Sequence, residues 1–98
     1  MKEDSLKDKV VIITGATSGI GESCALAFGK VGAKIVITGR NQDKLNDSKA
    51  KLEEEGITVL AILADAGVIA DNKRMAETVL SEFGKIDILI NNAGISMR

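Results

Sequence analysis

The sequence predicts an α/β domain built on a parallel sheet with helices on both faces. Two observations carry that prediction. Short, β-branched apolar runs alternate with longer amphipathic stretches in the order β-α-β-α-β-α-β, and a glycine-rich turn occupies the first strand-to-helix junction. Strands separated by helices pair in parallel through right-handed crossovers. The expected strand order is 3-2-1-4, with the first two helices on one face and the third on the other. Residues 1–98 are thus expected to hold four strands of one sheet.

The elements follow in chain order. Val10-Val11-Ile12-Ile13-Thr14 is a continuous apolar run, as expected of a strand buried on both faces. A helix follows from about Gly19 to Val31, and Ile20, Cys24, Ala27 or Phe28, and Val31 recur at helical spacing as its expected inner face. Gly32 ends it. Lys34-Ile35-Val36-Ile37-Thr38 reads as the second strand. Asn41 is placed to cap a charged helix over Gln42–Glu55, with a narrow apolar stripe of Leu45 and Leu52, and Gly56 stops it. Asp47–Lys51, Lys49–Glu53 and Lys51–Glu55 stand four residues apart on that helix, which marks a solvated face rather than a binding patch. Thr58–Leu63 is the third strand, and a third helix from near Val68 to Phe83 carries Met75, Val79 and Phe83 on one side. Ile86–Ile90 is the fourth strand, left as an apolar sheet edge open to pairing.

The composition removes several classes of function. The 98 residues are 45% hydrophobic, a globular composition, with a net charge of −1. No basic field for nucleic acid or an anionic membrane exists. The charged N-terminus lacks the apolar core of a secretory signal, and no apolar run is long enough to span a bilayer. Cys24 is the only cysteine and reads as a small core residue; a cytoplasmic setting is expected. The chain contains no His, Tyr, Trp or Pro. No metal site is expected, and no residue is assigned a catalytic role.

The turn Gly15-Ala16-Thr17-Ser18-Gly19-Ile20-Gly21 is the main chemical signal. In open parallel sheets, ligands bind beyond the carboxyl ends of the strands, where the strand order reverses. Here that point lies between the first and fourth strands. Gly15 lets the chain turn off the strand, Gly19 leaves backbone accessible, and Gly21 allows close helix–sheet packing. N–H groups around Ser18, Gly19 and Ile20, with the helix dipole, favour an anion such as a pyrophosphate. Thr17 and Ser18 add hydroxyl donors.

At these residues the chain resembles the short-chain dehydrogenase/reductase family. Thr14-Gly15-Ala16-Thr17-Ser18-Gly19-Ile20-Gly21 matches the family's T-G-x-x-x-G-x-G, and Asn91-Asn92-Ala93-Gly94 matches its N-N-A-G after the fourth strand. Asp65 matches the acid closing the third strand, and the resemblance runs from Leu6 onward. It implies a Rossmann-like domain holding a nicotinamide dinucleotide. Thr14 and Asn92 would tie the first and fourth strands beside the cofactor. Asp65 would hydrogen-bond the adenine amino group with the Ala66 backbone nearby, and Asn92, Ala93 and Gly94 would pass the adenine-side ribose and the middle of the cofactor. Asp65 is open to a second reading, as a turn or cap residue of the third helix.

The end of the second strand discriminates between cofactors, because a carboxylate there accepts from the ribose hydroxyls and repels a 2′-phosphate. Gly39 stands in that place, followed by Arg40 and Asn41. Arg40 can grip a phosphate in bidentate fashion, which favours NADP(H) over NAD(H). The competing reading makes Arg40 an exposed loop charge and Asp43 the acid.

Members of the family continue into a catalytic Ser and a Tyr-x-x-x-Lys pair, with hydride passing between cofactor and substrate carbon. None of these maps here, and Ser96 follows the N-N-A-G segment too closely to be that serine. The resemblance implies an NADP(H)-dependent oxidoreductase of carbonyl or alcohol substrates as the parent protein, homo-oligomeric when intact. By the same resemblance, residues 1–98 would be the N-terminal part of its single NAD(P)-binding Rossmann domain, truncated before the fifth strand: the cofactor-binding half, inactive alone. The alternative is a non-catalytic dinucleotide-binding fragment or sensor.

Overall fold

The computed structural model describes residues 5–17 and 19–92. The elements run β1 (Val10–Ile13), α1 (Gly19–Lys30), β2 (Lys34–Gly39), α2 (Gln42–Glu54), β3 (Val59–Leu63), α3 (Ile69–Phe83) and β4 (Ile88–Ile90). The four strands form one sheet in the order β3-β2-β1-β4, with every neighbouring pair parallel. The expected class and strand order are therefore observed, with element ends shifted by one or two residues.

Alternation along the strands divides the core into two layers. Val11, Ile13, Ile35, Ile37 and Val59 meet Ala25 of α1 and Leu45 and Leu52 of α2. Val10, Ile12, Val36 and Ile62 meet Met75 and Val79 of α3, with Phe83 and Ile86 at the margin. β1 is buried along its whole length, as a strand covered on both faces must be. β4 pairs on one side only. Leu89, in register with Ile12 and hence on the α3 face, is 58% exposed.

The inner face of α1 differs from the one its hydrophobicity predicts. Gly21 and Ala25 are buried, whereas Ile20 is 64% exposed, Ala27 is exposed, and Cys24 and Phe28 are half-buried. The governing feature is small size at four-residue spacing: Gly21, Ala25 and Gly29. A Cβ on Gly29 would lie 2.5 Å from Ile57 Cδ1. The helix thus lies close to its neighbours on its smallest residues, and the larger apolar side chains flank that line.

The helix ends match their local chemistry. The Asn41 side chain accepts the Lys44 N–H at 3.1 Å at the start of α2. α3 ends on Gly84 in the left-handed conformation at φ 78°. Between α1 and α2, the buried Ser48 hydroxyl donates to Glu22 Oε2 at 2.9 Å, so the one polar residue in the inner stripe of α2 has a partner. Among the described residues, no helix is long and apolar enough to cross a membrane.

Candidate functional site

All four strands point their carboxyl ends the same way, so their following loops gather at one edge of the sheet. Four of the sequence motifs meet there: the glycine loop after β1, Gly39-Arg40-Asn41 after β2, Asp65-Ala66 after β3 and Asn91-Asn92 after β4. β1 pairs with both β2 and β4, with α1 on one face and α3 on the other. The glycine loop therefore leaves the sheet where the winding reverses.

One backbone turn and two hydrogen bonds fix the loop. Gly15 turns at φ 64°, a conformation that glycine adopts without steric penalty. The Ala16 N–H donates to the Thr38 carbonyl at 3.1 Å and binds the loop to the end of β2. The Asn92 Nδ2 donates to the Gly15 carbonyl at 3.0 Å and binds it to the segment after β4. Next to that bond, the Thr14 N–H donates to the Ile90 carbonyl and the Thr14 hydroxyl donates to Asn91 Oδ1, both at 3.0 Å. The two asparagines divide the work of joining β1 to β4.

Gly19 and Gly21 play opposite parts. A Cβ on Gly21 would stand 2.7 Å from Asn92 Nδ2 and 2.8 Å from both Ala16 Cα and the Gly15 carbonyl oxygen. Protein atoms require glycine there. At Gly19, the first residue of α1 at φ 22°, a Cβ would meet nothing within 4 Å among the described residues. Around it lie open space, the first N–H groups of a helix, which have no partner within that helix, and the exposed Ile20. These features fit an anionic group: the backbone is bare and the positive end of the helix dipole faces it.

After β2, Gly39 is buried at the strand end and Arg40 is exposed outside it. Asn41 is exposed, with its carbonyl oxygen committed to the cap of α2. Asp43 lies in the first turn of α2. After β3, Asp65 Oδ1 accepts the Gly67 N–H at 2.8 Å, which is the geometry of a turn residue. α3 holds this loop from below: Asp71 Oδ2 accepts the Asp65 N–H at 2.8 Å, and Asn72 Nδ2 donates to the Ala66 carbonyl at 2.9 Å. Asp71 and Asn72 were not singled out from the sequence, where they read as ordinary polar residues of a first helical turn. The expected site residues Ser18, Ala93 and Gly94, and also Ser96, lie outside the described residues.

Comparison with known proteins agrees with this arrangement. The family model for short chain dehydrogenase matches residues 9–98. An uncharacterized oxidoreductase, YxnA, from Bacillus subtilis is 42% identical over 96 residues, which are 98% of this chain and 27% of the relative. Dehydrogenase/reductase SDR family member 7B from Rattus norvegicus is 45% identical over 102 residues, 95% of this chain and 30% of the relative. Among solved structures, L-sorbose reductase from Gluconobacter frateurii, complexed with NADPH and L-sorbose, is 38% identical with a TM-score of 0.91. The match covers 98% of this chain and 37% of that one. The chain thus spans about a third or less of the length of these curated relatives. A glycine loop seated at the reversal of a 3-2-1-4 sheet and tied to an asparagine after β4, together with a family match over residues 9–98, makes this chain a member of the short-chain dehydrogenase/reductase family.

Proposed function

We propose that this chain is the cofactor-binding half of an NADP(H)-dependent oxidoreductase that acts on a carbonyl or alcohol. The observation that carries the reading is the contrast between Gly21, filled by Asn92 and the loop backbone, and Gly19, open at the start of α1. Such a loop is shaped to admit a pyrophosphate at one glycine and to pack tightly at the other.

On this reading Gly15, Thr17, Ser18, Gly19 and Ile20 hold the pyrophosphate, and Gly21 completes the cofactor-binding loop by packing against Asn92. Asp65 and Ala66 meet the adenine, and Asn92, Ala93 and Gly94 border the ribose and the middle of the cofactor. Arg40 and Asn41 receive the 2′-phosphate, with Gly39 in place of a carboxylate that would repel it. The NADPH held by the similar L-sorbose reductase supports the phosphorylated cofactor. The cofactor, when bound, supplies hydride chemistry. With no Tyr or His among the 98 residues, proton transfer to the substrate falls to groups outside them, and this chain alone binds without turnover. The homo-oligomeric and cytoplasmic expectations belong to the same proposal.

The test is a fluorescence titration of the purified chain with NADPH and NADH. Saturable binding with NADPH tighter is the expected result. No binding of either at millimolar concentration would refute the reading.

A further inference from the structure

Gly39, the last residue of β2, is held on its backbone. It pairs with Leu63, and its carbonyl accepts the Ala64 N–H at 2.9 Å. One residue earlier, the Thr38 carbonyl accepts the Ala16 N–H and fastens the glycine loop over the strand end. Thr17 follows in that loop. Its Cγ2 lies 2.9 Å, and its Oγ1 3.5 Å, from where a Cβ on residue 39 would stand, with Leu45 Cδ2 at 3.6 Å. Gly39 is not among the glycines with positive φ, so space rather than backbone conformation requires glycine here. The methyl of a β-branched side chain is set by χ1 and does not swing aside like the tip of a long one.

We propose that the Thr17 methyl keeps position 39 free of a side chain and thereby makes Thr17 a specificity-determining residue for the cofactor. This rests on the dinucleotide reading above. A carboxylate at the end of β2 would select the unphosphorylated cofactor, and it has no room while Thr17 holds the space. The preference is then a property of the pair Thr17–Gly39, contributed by two loops on neighbouring strands. Thr17→Ser removes the obstructing methyl and keeps the hydroxyl.

The experiment is a double-substitution cycle with two readouts. In thermal unfolding without cofactor, Gly39→Ala lowers the midpoint by about 5 °C in the Thr17 background and by less than half that in the Thr17→Ser background. In titrations with NADPH and NADH, Gly39→Asp combined with Thr17→Ser shifts the affinity ratio at least about tenfold toward NADH relative to wild type, and Gly39→Asp alone shifts it less. Equal Gly39→Ala penalties in both backgrounds would overturn the steric coupling. A full shift from Gly39→Asp alone, without loss of stability, would overturn the specificity role. A wild-type chain that binds neither dinucleotide refutes the proposed function and the specificity role with it, while the unfolding cycle still decides the coupling.

Discussion

Asn92 and Gly21 occupy one another's space: the amide that donates to the Gly15 carbonyl stands 2.7 Å from where a Cβ on Gly21 would be. The two other close atoms, Ala16 Cα and the Gly15 oxygen, are backbone. Neither can move without moving the loop. Gly21→Ala should therefore destabilise the chain by about 1–3 kcal/mol, as overpacking of a tight site does. That corresponds to a fall in thermal midpoint of roughly 5–20 °C for a domain of this size. Circular dichroism melting checks it, and an unchanged midpoint would contradict the close approach of α1.

The same amide distinguishes two substitutions at Asn92. Asn92→Ala removes one hydrogen bond, with a loss of about 1 kcal/mol. Asn92→Asp places a carboxylate oxygen against the Gly15 carbonyl, so two acceptors face each other. It should be the less stable of the two at neutral pH and should recover toward Asn92→Ala as acid protonates it. Melting both variants at pH 7 and pH 4 tests the order, and Asn92→Asp matching wild type would refute the donor role of Nδ2.

The contrast between Gly21 and Gly39 shows what the sequence made legible. Strand order followed from alternating elements, and the place of the glycine loop followed from strand order; both depend only on local pattern and chirality. The close approach at Gly21 was legible in the glycine motif, but its continuation along Ala25 and Gly29 was not, because hydrophobicity points to Ile20 and Cys24 as the packing face of α1. A residue that packs by having no side chain leaves no apolar signal. The Thr17–Gly39 approach was hidden for a related reason, since it joins loops 22 positions apart in the chain through a hydrogen bond from Ala16 to Thr38. Asp65 was legible as a site residue and as a turn residue, and the Gly67 N–H on its Oδ1 shows the turn geometry.

Arg40 is exposed beyond β2, so its removal should affect binding and not folding. Hydrogen bonds between charged groups contribute about 1.5–3 kcal/mol. Arg40→Ala should accordingly weaken NADPH binding by about tenfold or more and leave NADH binding within about twofold. The melting midpoint should stay at the wild-type value. Equal losses for both dinucleotides would show that Arg40 does not read the 2′-phosphate.

Asp87 joins β1 to β4 at the end opposite the site. Its carboxylate accepts the Val10 N–H at 2.8 Å, its own N–H donates to the Val10 carbonyl at 3.0 Å, and Lys85 Nζ lies 3.2 Å from Oδ2. The Val10 bond, with smaller help from Lys85 and Lys9, holds the carboxyl below its ordinary value of 3.8. A group whose pKa is lower when folded stabilises the fold above its unfolded pKa and loses that contribution as pH falls through the folded one. Wild type should therefore melt above Asp87→Asn by a constant margin from about pH 7 to pH 5, and the margin should narrow below about pH 4 as the carboxylate takes up a proton. Because other carboxylates titrate in both proteins, the difference between the two melting curves, rather than either curve alone, isolates Asp87. A margin that stays constant down to pH 2.5 would show that the charge on Asp87 contributes nothing and that the Val10 contact works equally well through a neutral acceptor.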